Sequence, residues 1–344
     1  FKIITNRIKT KNAKKLLWIV SIITFFLSAI LDNLTTAIVM VSLLRKLVHD
    51  KEQRLYFVGM VVIAANAGGA WSPIGDVTTT MLWNNNMISS MNIIKTLFIP
   101  SLVCLVIPVF LMSFKLKGEV KRDSYDYDKA EKEEKVKGSL VMLIAGVSAL
   151  IFVPIFKSIT HLPPYVGMLF GLSVVWVISE LLHIDKTEEE KKPYSAIHAL
   201  TKIDVSSVLF FLGILLAIGT LSGTGVLRNL AIWMDQTIGN KDVISVSIGL
   251  LSAVVDNVPI VAATMKMYPL SEFPIDSKIW EFIAYAAGTG GSCLIIGSAA
   301  GVAVMGMEKI DFIWYLKKIS WMALLGYLAG AVAYLLVYPI FAVH

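Results

Sequence analysis

The stretch Ser28-Ala29-Ile30-Leu31-Asp32-Asn33 recurs 224 residues later as Ser252-Ala253-Val254-Val255-Asp256-Asn257. Each copy places an Asp-Asn pair in the middle of an apolar run. A carboxylate at bilayer depth costs about 2.5 to 3.5 kcal/mol on insertion scales. Two such carboxylates at equivalent places in a repeated motif therefore indicate a function, and the two Asp-Asn pairs are the centre of a candidate site.

The composition is that of an integral membrane protein. Hydrophobic residues make up 56% of the chain and charged residues only 16%, whereas soluble domains carry about 25% charged residues. Several apolar stretches have about the 20 residues that a helix needs to cross a bilayer. They are 93–114, 139–160, 165–184, 205–222 and 312–342. Because these stretches lack the period-two alternation of a membrane barrel, the predicted fold class is all-α.

A second motif follows each Asp-Asn pair. Ala65, Gly68, Gly69 and Gly75 match Ala287, Gly290, Gly291 and Gly297, in every case 222 residues apart. Gly-Gly and Pro within a membrane span are typical of an unwound segment between two half-helices. Two motifs repeated in the same order predict a duplicated chain, in which each half holds one hairpin and one broken helix.

The charges predict opposite orientations for the two halves. The net charge of +6 comes from Lys and Arg concentrated in polar stretches, which is typical of cytoplasmic loops rather than of a nucleic-acid surface. Basic residues flank both ends of the first hairpin, whereas acidic residues follow the second hairpin. The chain is therefore expected to be an inverted-repeat transporter with two re-entrant hairpins and two broken transmembrane helices.

These patterns predict the following division of the chain. The first repeat covers 1–114, with a hairpin at 16–44, a broken helix at 55–83 and a span at 93–114; a charged cytoplasmic linker covers 115–138; the second repeat covers 139–344, with spans at 139–157, 165–184 and 205–222, a hairpin at 243–267, a broken helix at 281–306 and a span at 312–342. Repeat symmetry predicts further helices before residue 1, so an N-terminal truncation of about one hundred residues is expected.

Polar residues at the hairpin tips and in the unwound segments are the candidate ligands for ions and protons. They are Asp32, Asn33, Thr35, Asn66, Ser72, Asp76 and Thr78 in the first half, and Asp256, Asn257, Thr289, Ser292 and Ser298 in the second. The unwound backbone is expected to contribute at Gly68, Gly69, Gly75, Gly288, Gly290, Gly291 and Gly297.

These oxygen ligands suit a small hard cation such as Na+. Asp32 and Asp256 are expected to exchange protons for this cation, and Asp76 with nearby oxygens to complete its coordination. A proton would compete with the cation for the same carboxylates, and this competition is sufficient for antiport. Cys104 and Cys293 lack metal-ligand spacing, and no cofactor is expected beyond the transported ions.

Plainer interpretations exist for several of these residues. Asp32, Asp256 and Asp76 could each serve only as a helix N-cap, since Asp is a preferred capping residue. Asp76 has Ser298 as its counterpart in the second half, and this asymmetry favours a role for its charge. Glu281 opens the second broken span and is expected at the membrane interface.

The motifs resemble those of NhaD-type sodium/proton antiporters, which belong to the ion transporter superfamily with arsenite permeases and dicarboxylate and citrate carriers. The resemblance rests on Asp32-Asn33-Leu34-Thr35-Thr36, on the run from Asn66-Ala67-Gly68-Gly69 through Ser72-Pro73-Ile74-Gly75-Asp76 to Thr80, and on Asp256-Asn257-Val258-Pro259. It implies exchange of Na+ or Li+ for H+ across the cytoplasmic membrane, elevator-like movement of the hairpins and broken helices, and a homodimer.

Two rival functions can be compared with these motifs. A dicarboxylate or other anion carrier of the same superfamily, coupled to sodium, tends to present Ser-Asn-Thr at the hairpin tips, whereas Asp32 and Asp256 would repel a dianion. An intramembrane aspartyl protease pairs Tyr-Asp with Gly-x-Gly-Asp, but neither Asp32 nor Asp256 follows Tyr and Asp76 follows Pro73-Ile74-Gly75. The sequence therefore predicts a secondary antiporter and not an enzyme.

Overall fold

The structure is a computed structural model that describes residues 10–116, 118–120, 138–160, 162–184, 187, 191, 195–201 and 205–341. Within these residues the regular secondary structure is helical, apart from an isolated bridge between Asn12 and Glu119. Most of the expected charged linker, 115–138, lies outside the described residues, as do residues 1–9. The interpretation of 115–138 as a linker therefore stays a prediction.

The described residues form two compact units, a large one within 10–120 and 220–341 and a small one within 138–219. In chain order the helices are α1 (Ala13–Leu31), α2 (Asn33–Leu47), α3 (Lys51–Ala70), α4 (Val77–Asn84), α5 (Ser90–Lys115), α6 (Ser139–Thr160), α7 (Pro164–Leu182), α8 (Ala196–Leu200), α9 (Val205–Gly223), α10 (Val226–Thr237), α11 (Lys241–Val255), α12 (Asn257–Met267), α13 (Lys278–Gly290), α14 (Ala299–Glu308) and α15 (Phe312–Phe341). The small unit contains α6, α7, α8 and most of α9.

Five of the described helices are long and apolar enough to cross a membrane. They are α1, α5, α6, α7 and α15. The predicted stretches at 93–114, 139–160, 165–184 and 312–342 fall on α5, α6, α7 and α15, and the stretch at 205–222 falls on α9. The all-α membrane class is confirmed. Within the large unit, α5 and α15 lie against each other along much of their length.

Two pairs of helices are separated by a single aspartate. Asp32 stands between α1 and α2, and Asp256 stands between α11 and α12. Two longer non-helical segments occur at 71–76, between α3 and α4, and at 291–298, between α13 and α14. Helix ends leave backbone N–H and C=O groups without helical partners, so each interruption brings polar backbone into an otherwise apolar region.

The helices next to these interruptions pack in the same way in both parts of the large unit. α1 lies against α3, and α11 lies against α13. The short helices pack against the other part of the unit: α14 contacts α2, and α4 contacts α12. In addition, α3 and α13 contact each other. This crosswise packing brings residues from the two ends of the chain together.

Glycine permits the close approach of these helix pairs. A Cβ atom on Gly68 would lie 2.2 Å from the carbonyl oxygen of Phe25 in α1, and one on Gly290 would lie 2.1 Å from the carbonyl oxygen of Gly249 in α11. Small residues let helix backbones touch in membrane proteins. The repeated glycines therefore produce the same helix–helix contact twice.

Candidate functional site

Asp76 is the carboxylate on which the site is built. Its side chain is 2% exposed, and its Oδ2 accepts hydrogen bonds from the side-chain amides of Asn33 at 2.9 Å and Asn257 at 3.2 Å. Its Oδ1 accepts from the backbone N–H of Thr78 at 3.1 Å, so Asp76 also caps α4. One buried carboxylate is thus held by the asparagine of each Asp-Asn pair.

Asn66 extends this network into the second broken helix. It is fully buried, and its Oδ1 accepts from Asn33 at 3.0 Å. Its amide nitrogen donates to the hydroxyl oxygens of Ser292 at 3.0 Å and Ser298 at 2.9 Å. The hydrogen bonds therefore connect both helix interruptions and both Asp-Asn pairs in one buried polar cluster.

Asp32 and Asp256 have a strained backbone. Asp32 has φ 73° and ψ 163°, and Asp256 has φ 66° and ψ 143°. A residue other than glycine in a sparsely populated conformation of this kind costs about 1 to 3 kcal/mol and is typical of functional sites. Glycine would avoid the cost at both positions, so the retention of aspartate favours a role for the side chain.

The side chains of these two aspartates differ in their contacts. Oδ1 of Asp32 accepts from the backbone N–H of Thr35 at 2.8 Å and its Oδ2 accepts from the Thr35 hydroxyl at 2.9 Å, so Asp32 caps α2. Asp256 makes no such cap, and its buried Oδ1 has no hydrogen-bond partner among the described residues. Each of the two aspartates directly precedes an asparagine, Asn33 or Asn257, that donates to Asp76.

Three of the remaining candidate hydroxyls have other partners, and the buried hydroxyl of Thr78 has no hydrogen-bond partner among the described residues. Ser72 donates to the carbonyl oxygen of Ala29 at 2.6 Å, and Thr289 donates to the carbonyl oxygen of Tyr285 at 2.6 Å. Ser298 both accepts from Asn66 and caps α14 through the N–H of Gly301 at 3.2 Å. Side-chain hydrogen bonds therefore join Asn33, Asn66, Asp76, Asn257, Ser292 and Ser298, and Thr78 adds its backbone N–H, whereas Thr35, Ser72 and Thr289 are not joined.

Glycines shape both interrupted segments by letting backbone pack on backbone. A Cβ atom on Gly69 would lie 2.4 Å from the carbonyl oxygen of Gly75, and one on Gly291 would lie 2.5 Å from that of Gly297. Gly288 lies at the contact between α13 and α3, where an added Cβ would be 3.2 Å from the Cβ of Ala70 and 3.8 Å from Oδ2 of Asp76. These glycines thus set the position of the buried carboxylate.

The structure buries two glutamates that the sequence did not place in the candidate site. Glu281, which is expected at the membrane interface, is 2% exposed and is contacted by Asn92 and Tyr334. Glu308 is 4% exposed and pairs with Arg45 and Arg54. A carboxylate in an apolar helix is the sequence signal for such residues, but its partners lie on other helices and cannot be identified from the local sequence.

The chemistry of the cluster suits a hard cation or a proton. Its polar atoms are carboxylate, amide and hydroxyl groups, which are ligands for hard cations. Among the described residues, no group of three or more His, Cys, Asp or Glu side chains is arranged to hold a metal ion.

Comparison with known proteins also indicates a membrane transporter. The sequence model of the family described as "Citrate transporter" matches residues 1–280. Sodium/proton antiporter 1 of Arabidopsis thaliana is 53% identical over 98% of this chain and 58% of its own length, and sodium/proton antiporter 2 of that plant is 49% identical over 98% of this chain and 80% of its own length. The Na(+)/H(+) antiporter NhaD of Vibrio parahaemolyticus is 32% identical over 88% of this chain and 76% of its own length.

The chain thus spans little more than half of the first of these relatives. The matches to the two plant antiporters, over 98% of this chain, nevertheless include the two Asp-Asn motifs and both interrupted helices. The chain belongs to the NhaD-type sodium/proton antiporters, within the wider family that the citrate transporter model describes.

Proposed function

We propose that this protein exchanges Na+, and also Li+, for H+ across a membrane. The observation that carries the proposal is the environment of Asp76, which is 2% exposed and has no ion-pair partner among the described residues. A buried carboxylate without a cationic side chain needs a bound cation or a proton. The names of the relatives support Na+ as that cation.

The same residues offer a way for Asp76 to exchange a bound Na+ for a proton. Asn33 and Asn257 direct their N–H groups at Asp76. If such a side-chain amide flips, it presents its carbonyl oxygen instead. Na+ would then be held by Asp76 and these amide oxygens, with the free oxygen of Asp256 near by. Release of Na+ leaves the carboxylate to take up one proton, so one ion leaves as another binds.

The conformational change that would open the cluster to each side of the membrane is proposed from the packing of the helices. The crosswise contacts of α2 with α14 and of α4 with α12 support two inverted repeats with re-entrant hairpins, as the charges of the sequence predict. Arg45 and Lys46 at the end of α2 support a cytoplasmic position for that end in the cell membrane. Movement of the hairpins and broken helices as one body would open the cluster to each side in turn.

The function is tested in vesicles that contain the protein and hold a pH gradient. NaCl and LiCl are expected to dissipate the gradient, because each cation displaces a proton from the cluster, and citrate is expected to have no effect. Vesicles without the protein are the control. Silence with both alkali cations, together with uptake of labelled citrate, would replace antiport by anion transport, which the description of the family model would then explain.

The two strained aspartates are expected to contribute unequally. Asp256→Asn should raise the Na+ concentration for half-maximal exchange by about tenfold, or ~1.4 kcal/mol, because Oδ1 of Asp256 has no other partner among the described residues. Asp32→Asn should have a smaller effect, because Thr35 already engages both oxygens of Asp32. Initial rates of exchange across a range of NaCl concentrations measure both, and equal effects would contradict the assignment.

A further inference from the structure

The two buried glutamates are neutralised in different ways. Glu308 is 4% exposed and its carboxylate lies 2.6 Å from Arg45 Nε and 3.0 Å from Arg54 Nε. Glu281 is 2% exposed, yet no described Lys, Arg or His forms an ion pair with it. An unpaired buried charge is costly, so Glu281 needs a partner of another kind.

The side chains around Glu281 are hydrogen-bond donors from two other helices. Asn92 of α5 donates its amide to Oε1 of Glu281, and the Tyr334 hydroxyl of α15 lies 2.9 Å from Oε2. Glu281 itself belongs to the first turn of α13. Three helices thus meet at one carboxyl, and each of its two oxygens accepts a hydrogen bond.

Other charged groups near Glu281 are already engaged. Asp276 accepts from the backbone N–H of Ser89 at 2.6 Å, and Lys278 pairs with Asp242 of α11 at 2.7 Å and lies 5.4 Å from the ring centre of Tyr338. No hydrogen bond or ion pair reaches Glu281 from the described residues of α3, α4 or α12. A proton is the remaining partner that can neutralise this carboxyl.

Tyr334 can satisfy Glu281 in both protonation states. Its hydroxyl oxygen lies 2.9 Å from Oε2 of Glu281 and 3.1 Å from the carbonyl oxygen of Lys278, and a hydroxyl has one proton to donate. With Glu281 ionised, that proton is donated to the carboxylate. With Glu281 protonated, the carboxyl donates to the Tyr334 oxygen, and the Tyr334 hydroxyl donates to the carbonyl oxygen of Lys278. No atom has to move far between the two states.

We propose that Glu281, with Tyr334 and Asn92, forms a second proton-binding site that is separate from the Asp76 cluster. Its proton is taken up and released without exchange for Na+. Because the carboxyl joins α13, which leads into the segment that carries Ser292 and Ser298 of the cluster, to α5 and α15, its protonation state sets how firmly these helices hold together. Only the consequence for exchange rests on the proposed antiport, since proton binding itself does not.

Infrared difference spectra of the purified protein test proton binding directly. The spectra compare about pH 6 with about pH 9, a range in which exposed carboxylates, with pKa values near 4, stay ionised. Glu281 is expected to contribute a protonated-carboxyl band that is lost at the alkaline end in the wild type and in Asp76→Asn. Glu281→Gln should lack this contribution and keep only that of the Asp76 cluster. In the wild type, NaCl should leave this part of the band unchanged. Glu272→Gln, an exposed glutamate in the loop before α13, is the matched control.

The pH profile of exchange tests the consequence. Since Gln resembles a protonated Glu, Glu281→Gln and the wild type should coincide at the acid end and differ several-fold at the alkaline end, while Glu281→Asp should restore a pH-dependent step. An undiminished band in Glu281→Gln, or a profile identical to the wild type, would overturn the proposal. Absence of exchange in every variant would instead contradict antiport, and the infrared band would still decide on Glu281.

Discussion

Asp76→Asn is expected to lower Na+/H+ exchange by about 100-fold or more, the largest effect of any single substitution in the cluster. Asn keeps the size of the side chain and can still accept from the Thr78 N–H that begins α4. It removes the charge that would bind Na+ and the proton that would be exchanged for it. Loss of a buried charged partner costs about 3 to 5 kcal/mol, and ~2.7 kcal/mol is already 100-fold.

Asp50→Asn provides the matched control for this prediction. Asp50 also caps a helix, α3, through the N–H of Glu52 at 3.2 Å, but its side chain is exposed. The same change of charge at a similar N-cap should therefore leave exchange within about twofold, because capping is retained and no buried charge is lost. Gradient dissipation by NaCl measures both variants. Full exchange by Asp76→Asn would remove Asp76 from the mechanism.

Gly69→Ala is expected to prevent correct folding rather than to impair transport alone. The added Cβ would lie 2.4 Å from the carbonyl oxygen of Gly75 and 3.2 Å from the Cβ of Asp76. The nearest atom belongs to the backbone and cannot turn aside as a flexible side chain would. Overpacking of this kind costs about 1 to 3 kcal/mol, and occasionally more. The expected result is a large loss of monodisperse protein after detergent extraction, and a lower melting temperature of what remains.

Gly306→Ala is the control for the glycine prediction. Gly306 lies within α14, and a Cβ atom there would have no neighbour within 4 Å. Alanine in a helix is favoured over glycine by about 1 kcal/mol, so this variant should fold as well as the wild type or slightly better. If Gly69→Ala were extracted and melted like Gly306→Ala, the close backbone contact would not be needed for the fold.

Residue type and spacing were sufficient to indicate a polar cluster, but they put Asp32 and Asp256, rather than Asp76, at its centre. Asp32, Asp76 and Asp256 all stand next to helix starts in apolar surroundings, and each had a plain capping alternative. In the structure Asp32 and Asp76 both cap helices, but Asp76 also accepts hydrogen bonds from the side-chain amides of Asn33 and of Asn257, the latter 181 residues away. Local sequence does not contain such distant contacts, so their order of importance stays a proposal for mutagenesis.

Glu281 also shows that local sequence does not contain distant contacts, here for a residue outside the predicted site. Its place at the start of a polar-to-apolar transition indicated an interface, because a sequence shows the neighbours along one helix only. The residues that bury it, Asn92 and Tyr334, come from α5 and α15. Glu308 likewise meets Arg45 and Arg54 from more than 250 positions away. Whether a buried acid has a cationic partner was therefore decided by helix packing.

The sequence by itself determined the membrane class and the places where the duplicated motifs lie. Length and apolarity are local properties, and the cost of polar groups in lipid acts on every segment independently. Only the tertiary structure decided which carboxylate lies at the centre of the cluster, which glycines must stay small and which glutamate lacks a counter-charge. Each of these depends on atoms that approach from distant parts of the chain, and close packing of α3 with α13 and of their partners brings those atoms together.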